Sequence, residues 1–483
     1  MRKYISIIAA AIVMFAACKP SDFEDTNVSQ YALSQASTRS LLTNSLQQLP
    51  ATAFGFGSAT FYVQHLSEGP YPGASWYSGT EFDFNPSYYN QLFNLKAIID
   101  INSGKTVPGV KLSTDPSADG APANQIAVAR ILKAYFFWTM TDRWGDIPYS
   151  DALKGIEVIA PKYDKQEDIY TDLFKEMTEA VAQIQVGQTG VGGDILFKGN
   201  MARWKTFANT ARMMMALRLK KNKPAVGKTE FNNAITAGVI ASSADDIRYN
   251  YLSGDPNNYN PFYTNYLTRN DYAISKTLTD YMAPKSDPRL KIYAETLPNG
   301  TIVGLPYGTS AAPSIPNAYS RVGDYFRGAG SPALIFSRAQ VLFSMAEMTR
   351  PDVAWLPGGD AQAALYYADA IKASFETYGV YTATAYANYM AQPTVVYNAA
   401  TGLQQIMTEK WVHLYLNGFE SWTDWRRTGF PTLTPAAAAV QAGGIPLRHR
   451  YPSTENTVNK ANYQAAVTAL GGDTNYTKIW WLK

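Results

Sequence analysis

The chain has 483 residues, 46% of them hydrophobic and only 17% charged, which is enough apolar matter for a large core and too little charge for a disordered chain. Lysine and arginine number 42 against 39 aspartates and glutamates, so overall charge draws it neither to nucleic acid nor to anionic lipid. One cysteine excludes a disulfide framework, and the surplus is aromatic: 33 Tyr, 21 Phe and 10 Trp.

Residues 1–17 read as a secretory signal peptide. Arg2 and Lys3 precede an apolar run from Tyr4 to Ala17, which ends in Phe15-Ala16-Ala17. As a helix this run would span about 21 Å, short of a hydrocarbon core of about 30 Å. The sole cysteine, Cys18, follows the small residues and resembles the lipidation point of a bacterial lipoprotein. Cys18 is therefore expected to begin the mature chain, held by acyl chains and not by a spanning helix. Residues 18–30 are expected to form a polar tether. Its acids Asp22, Glu24 and Asp25 resemble the signal that sends some lipoproteins to the outer face of the outer membrane. Of the 42 basic residues, Arg2 and Lys3 lie in the leader, leaving 40 against 39 acids in the mature chain.

Helices are expected next at Thr38–Leu49 and Asn94–Ile101, followed by Ile126–Met140, which is apolar nearly all round and so packed between neighbours. The clearest is Gln166–Gln185. Ile169, Leu173, Met177, Ala180, Val181 and Ile184 form one stripe, and Asp164 stands three residues before Glu167 as an expected cap. Trp204–Lys221 couples with Phe231–Ile240. Ala333–Thr349 couples with Ala361–Tyr378, the latter started by Asp360 and stopped by Gly379. Recurring helix pairs indicate a mainly α, tetratricopeptide-like helical-pair scaffold, without a strict repeat length. Ala51–Pro86, Tyr249–Leu305 and Leu305–Pro332 show little helical period and are too long for plain connections. They predict a large loop-rich region packed against the scaffold, with residues 31–483 as one domain.

Several motifs invite chemistry that simpler packing explains. Asp142-Arg143-Trp144-Gly145-Asp146 offers two acids beside an arginine, but Gly145 and Pro148 mark a turn after a helix, held by Arg–Asp pairing and a packed Trp. Trp422-Thr423-Asp424-Trp425-Arg426-Arg427 interleaves basic and aromatic residues yet is too short for a nucleic-acid surface. Met213-Met214-Met215 is core filling. His65, His413 and His449 show no metal-ligand spacing, and His413 reads as a packed helical residue. Asp255-Pro256-Asn257-Asn258 could offer oxygens to calcium but reads as a turn. No phosphate loop or nucleophile elbow appears, so no catalytic residue, metal or cofactor is assigned.

A series of stretches spanning the mature chain carries a resemblance. It comprises Ala134-Tyr135-Phe136-Phe137-Trp138-Thr139-Met140-Thr141 running into Asp142–Tyr149, then Trp204-Lys205-Thr206-Phe207-Ala208-Asn209 and Asp287-Pro288-Arg289-Leu290. Ala346-Glu347, Trp422–Gly429, Ile445-Pro446-Leu447-Arg448 with Tyr451-Pro452, and Trp480-Trp481 complete it. In this order they resemble the SusD/RagB-type outer-membrane lipoproteins, the second SusD-like subgroup. The resemblance implies a tetratricopeptide-like scaffold capping a SusC-type TonB-dependent channel. It also implies capture of oligosaccharides, or in some members peptides, at the cell surface. A structural adaptor without its own ligand site is the further alternative; a surface hydrolase would need two carboxylates whose separation no sequence discloses.

Relatives place ligand contacts in an early loop, which here is Glu68-Gly69-Pro70-Tyr71-Pro72-Gly73-Ala74-Ser75-Trp76-Tyr77-Ser78-Gly79. Sugar C–H faces stack on exposed aromatics while their hydroxyls need polar partners. Tyr71, Trp76 and Tyr77 are therefore the expected platforms, with Glu68, Glu81 and Asp83 as partners. Packing of the loop on itself is the competing account. Tyr272 and Tyr325 follow from the later loops, with Tyr319, Phe326 and Arg327 beside them.

Overall fold

The computed structural model describes residues 36–483 apart from 80, 85–87, 108–109, 113 and 310–314; the expected signal peptide, Cys18 and the tether lie outside the described residues. Helix α1 (Thr38–Gln47) opens with a capping box, Ser37 and Ser40 exchanging side chain-to-backbone hydrogen bonds. Next come α2 (Asn90–Asn102) and α3 (Pro122–Trp144), the latter started by a proline whose missing N–H costs nothing there and ended at Gly145, φ 88°. Then follow α4 (Gln166–Gln183), α5 (Met201–Arg218) and α6 (Pro224–Ala237). Each of these packs on the next. Helix α3 is buried by α2, α4 and α5 together, which is why its sequence is apolar on every side.

The second half repeats the scheme with α7 (Arg338–Thr349), α8 (Gly359–Thr377), α9 (Gly402–His413), α10 (Gly418–Thr428) and α11 (Lys460–Leu470). Helices α7 and α8 pair closely, α7 also meets α9, and α9 meets α10. This is the expected mainly α, paired-helix scaffold. Met213, Met214 and Met215 are all fully buried. Among the described residues no helix is long and apolar enough to cross a membrane.

Strands are short and join distant segments. β1 (Leu66–Glu68) is antiparallel to β5 (Tyr272–Ile274), with Glu68 opposite Tyr272. β2 (Ile147–Pro148) pairs with β3 (Tyr163–Asp164), and β4 (Ile247–Tyr249) with β6 (Ala333–Phe336). The last pair corrects one expectation: Ala333–Phe336 is a strand, and the helix begins only after Ser337 caps Gln340 N–H. The α4 cap is also different. Asp164 accepts instead from the N–H groups of Tyr149 and Ser150, while Asp146 receives Gln166 N–H at 2.8 Å.

Several of the family-like stretches supply buried ion clusters. Asp142 pairs not with Arg143 but with Arg218, at 3.1 Å, and Arg218 reaches on to Glu420. Arg289 lies between Asp287 at 2.6 Å and Glu409 at 2.8 Å, all fully buried. Lys410 meets Asp424 at 2.7 Å, and Arg427 joins Asp424 to Glu347. Burial would raise the Glu347 carboxyl, but Arg427, Lys220 and Lys410 override it and lower it to about 2. Trp422–Arg427 is thus scaffold, as packing predicted. His413 is buried on α9 between the hydroxyls of Ser337 and Ser374. Asp255 serves its own turn, accepting from Asn257 N–H.

The loop-rich region is fastened to this scaffold at named points. Trp411 donates its indole N–H to Val63 O at 2.8 Å, and the His65 ring lies 3.0 Å from Trp411 O. Gly418 allows α10 to touch the short helix Ser58–Tyr62: a Cβ there would lie 2.4 Å from Thr60 N. These fastenings fix where β1, and the loop that leaves it, emerge.

Candidate functional site

The loop leaving β1 is closed by its own first residue. The Glu68 carboxylate accepts Ser75 N–H at 2.7 Å, and Gly69 N–H donates to Asp271 O at 2.8 Å beside β5. Further turns follow, from Trp76 N to Pro72 O and from Ser78 N to Gly73 O. Prolines and glycines permit these tight reversals, so the aromatics are held in place without a helix or sheet beneath them.

The three aromatics have different fates. Tyr71 is 66% exposed, with the Arg269 guanidinium 5.1 Å from its ring centre. Trp76 is half-buried; its indole N–H donates to Thr309 O at 3.0 Å and its carbonyl takes Val440 N–H. Tyr77 is fully buried, which corrects its expected role as a platform. A left-handed φ of 58° turns it inward, where its hydroxyl accepts from Ala436 N and its ring meets Tyr62 edge-on. It anchors the loop and has no face left for a ligand.

Tyr272 stands across the strand pair from Glu68, half-buried and stacked on Phe56 at 4.8 Å. Burial, with the charges of Glu68 and Asp271, pushes its hydroxyl up to about 12. Burial likewise raises the Glu68 carboxyl to about 7; Asp271 adds to this, while the bonds from Ser75 oppose it. Asp271 is itself held by Arg269 at 2.6 Å and Asn265 at 3.1 Å. The strand pair therefore assembles Glu68, Tyr71, Trp76 and Tyr272 with three residues that the sequence did not single out: Arg269, Asp271 and Thr309. Their only signal was membership of the long Tyr249–Leu305 and Leu305–Pro332 segments.

The other expected residues lie in different surroundings. Glu81 and Asp83 are exposed, but the backbone of Glu81 forms an isolated β-bridge with that of Arg450, its carboxylate accepts Ser453 N–H at 2.7 Å, and the intervening Phe82 stacks on His449. Tyr325 packs edge-on against Phe326 and Tyr378. Phe326 is buried, Arg327 pairs with Glu295 and Asp324, and Tyr319 is half-buried. An exposed ring backed by a guanidinium and flanked by carboxyl groups can stack on an apolar face and bond hydroxyls. Among the described residues no group of three or more His, Cys, Asp or Glu side chains could hold a metal.

Comparison with known proteins agrees with this architecture. A chitin-binding protein of known structure is 28% identical, covering 92% of this chain and 99% of its own, with a TM-score of 0.74. A SusD homologue from Bacteroides fragilis superposes with a TM-score of 0.78 at 24% identity, over 93% of this chain and 100% of its own. A chitin-binding SusD homologue from Flavobacterium johnsoniae does so at 0.74 and 23%, over 92% and 98%. No curated protein matches the chain. Residues 30–452 match the SusD-like family described as starch-binding and associating with the outer membrane, and the chain belongs to that family.

Proposed function

We propose that this protein is a lipid-anchored component of the outer face of the outer membrane, where it captures oligosaccharides and delivers them to a SusC-type TonB-dependent channel. The observation that carries the reading is Tyr71, an exposed ring held over Arg269 beside Glu68 and Asp271. Stacking on a sugar face is worth about 1 kcal/mol, and the flanking polar groups give orientation. Trp76 adds a second aromatic surface on the same loop. The chitin-binding similarity supports a glycan ligand, with N-acetylglucosamine oligomers a natural first member of any panel. Binding is reversible, without turnover.

Cys18 would carry the anchor, and the tether to residue 30 would let the protein swing over the channel mouth while keeping the two at high effective concentration. The test is calorimetry of a soluble form starting after Asn27, against neutral oligosaccharides and oligopeptides. Saturable heat with one sugar class, weakened about tenfold on Tyr71→Ala, supports the reading. Heat with peptides alone replaces the ligand class. Silence throughout, with transport still lost when the gene is deleted, makes the protein an adaptor.

A further inference from the structure

A second concavity lies away from the Tyr71 loop, where the C-terminal ends of α5 and α10 meet the segment around residue 481. It encloses about 490 Å³, and six of its lining residues are cationic: Arg218, Lys220, Lys221, Arg426, Arg427 and Lys478. None of its lining residues is acidic. The carboxylates behind the wall are already committed, Asp142 and Glu420 to Arg218, and Glu347 and Asp424 to Arg427 and Lys410.

Arg426 is the decisive residue. It is 9% exposed and pairs with no carboxylate: its Nη1 donates to the carbonyls of Asp142 and Leu447, and its Nη2 to Thr423 Oγ1. Its guanidinium is layered between the indoles of Trp422 at 3.7 Å and Trp481 at 4.8 Å. The Nε atoms of both Arg426 and Arg427 are buried and find no acceptor in the protein. Burial, aided by Arg218 and Arg143, lowers Arg426 to about 9 despite Asp142. A buried cation bonded to no carboxylate is costly, and an anion in the cavity would relieve it. The lining is completed by Lys220, which also pairs with Glu347 at 3.4 Å, by Lys221, which donates to Leu482 O, and by the exposed Lys478. The cationic side chains gathered around one concavity suit an oxyanion by charge, and Leu447, Trp481 and Leu482 line the rest of its wall.

We infer that this cavity binds a sulfate or phosphate group, either as the free anion or as an ester on a larger ligand. The inference is independent of the Tyr71 site. It is tested by calorimetry of the full chain with inorganic sulfate, glucosamine 6-sulfate and glucosamine, at ionic strength held constant with chloride. Saturable sulfate binding is expected, weakened about tenfold or more by the double substitution Lys221→Gln with Lys478→Gln. Lys291→Gln, an exposed lysine outside the cavity lining, controls for overall charge and should change nothing. Tighter binding of the sulfated sugar than of free sulfate assigns the site to a substituted glycan; equal binding assigns it to the free anion. No saturable binding by correctly folded wild-type protein, or equal weakening in Lys291→Gln, overturns the inference. Near-UV circular dichroism of each variant establishes the folded state, and a sulfate-dependent rise in Tm larger in wild type than in the double variant is the second readout, because sulfate raises Tm of any folded protein to some extent.

Discussion

Glu68 joins the candidate site to the stability of its loop. Its carboxyl is raised from 4.5 to about 7, first by burial and then by Asp271. A raised carboxyl binds its proton more tightly in the folded chain than in the unfolded one. Its contribution to stability is therefore complete below about pH 4.5 and is lost as pH climbs to about 7. Unfolding followed by denaturant across this window should show wild type losing on the order of 1–3 kcal/mol relative to Glu68→Gln. Parallel pH profiles for the two proteins would refute the burial argument. The neighbouring aromatics separate binding from folding. Tyr71→Ala should weaken sugar binding about tenfold while leaving stability within about 0.5 kcal/mol, because the ring is exposed. Trp76→Ala should lower both, since it also removes the indole N–H bond to Thr309 O. Sequence could place Trp76 and Tyr77 together on a loop but could not tell them apart. Which of two adjacent rings turns inward is decided by a left-handed backbone at Tyr77 and by Ala436, 359 residues away in the chain.

Among elements, what was legible is what depends on local period. The stripe of α4 marked that helix to within two residues at its C-terminus, and the all-round apolarity of α3 marked its burial. What escaped was pairing between distant segments. Ala333–Phe336 has a composition a helix could use, but β4 claims it as a strand. Asp164 has the spacing of a cap, yet the fold presents Asp146 to Gln166 N–H instead. Asp146→Ala should consequently cost about 1 kcal/mol in urea unfolding, as a lost helix cap does. Arg289→Met is a harsher change. It strands Asp287 and Glu409 as buried carboxylates without their shared cation, for an expected loss of about 3–5 kcal/mol. An unfolding midpoint equal to wild type would show that the hydroxyls of Tyr281 and Tyr389, which both donate to Glu409, suffice for the stranded carboxylates.

Across the whole molecule, the stretches that signalled the family are the ones that bind helix to helix, whereas the candidate site lies in the loops fastened between them. The family resemblance therefore disclosed the scaffold and said little about the ligand. Residue chemistry pointed to the early loop, but Arg269 and Asp271 arrive there only because β5 pairs with β1. The same long-range logic operates at residues 480–482. Ile479 and Trp481 are buried, Trp481 donates its indole N–H to Asp142 Oδ1 at 3.1 Å, and Lys221 Nζ holds Leu482 O at 3.0 Å. Removing residues 480–483 should cost several kcal/mol, as the loss of a large buried aromatic does, and should shift the denaturant midpoint accordingly. That seating also bears on timing. In a chain made from its N-terminus, Asp142 emerges 339 residues ahead of the indole that covers it. The α3–α5 core stays incomplete throughout that interval, so the molecule cannot lock into its final form while its last residues are still being made.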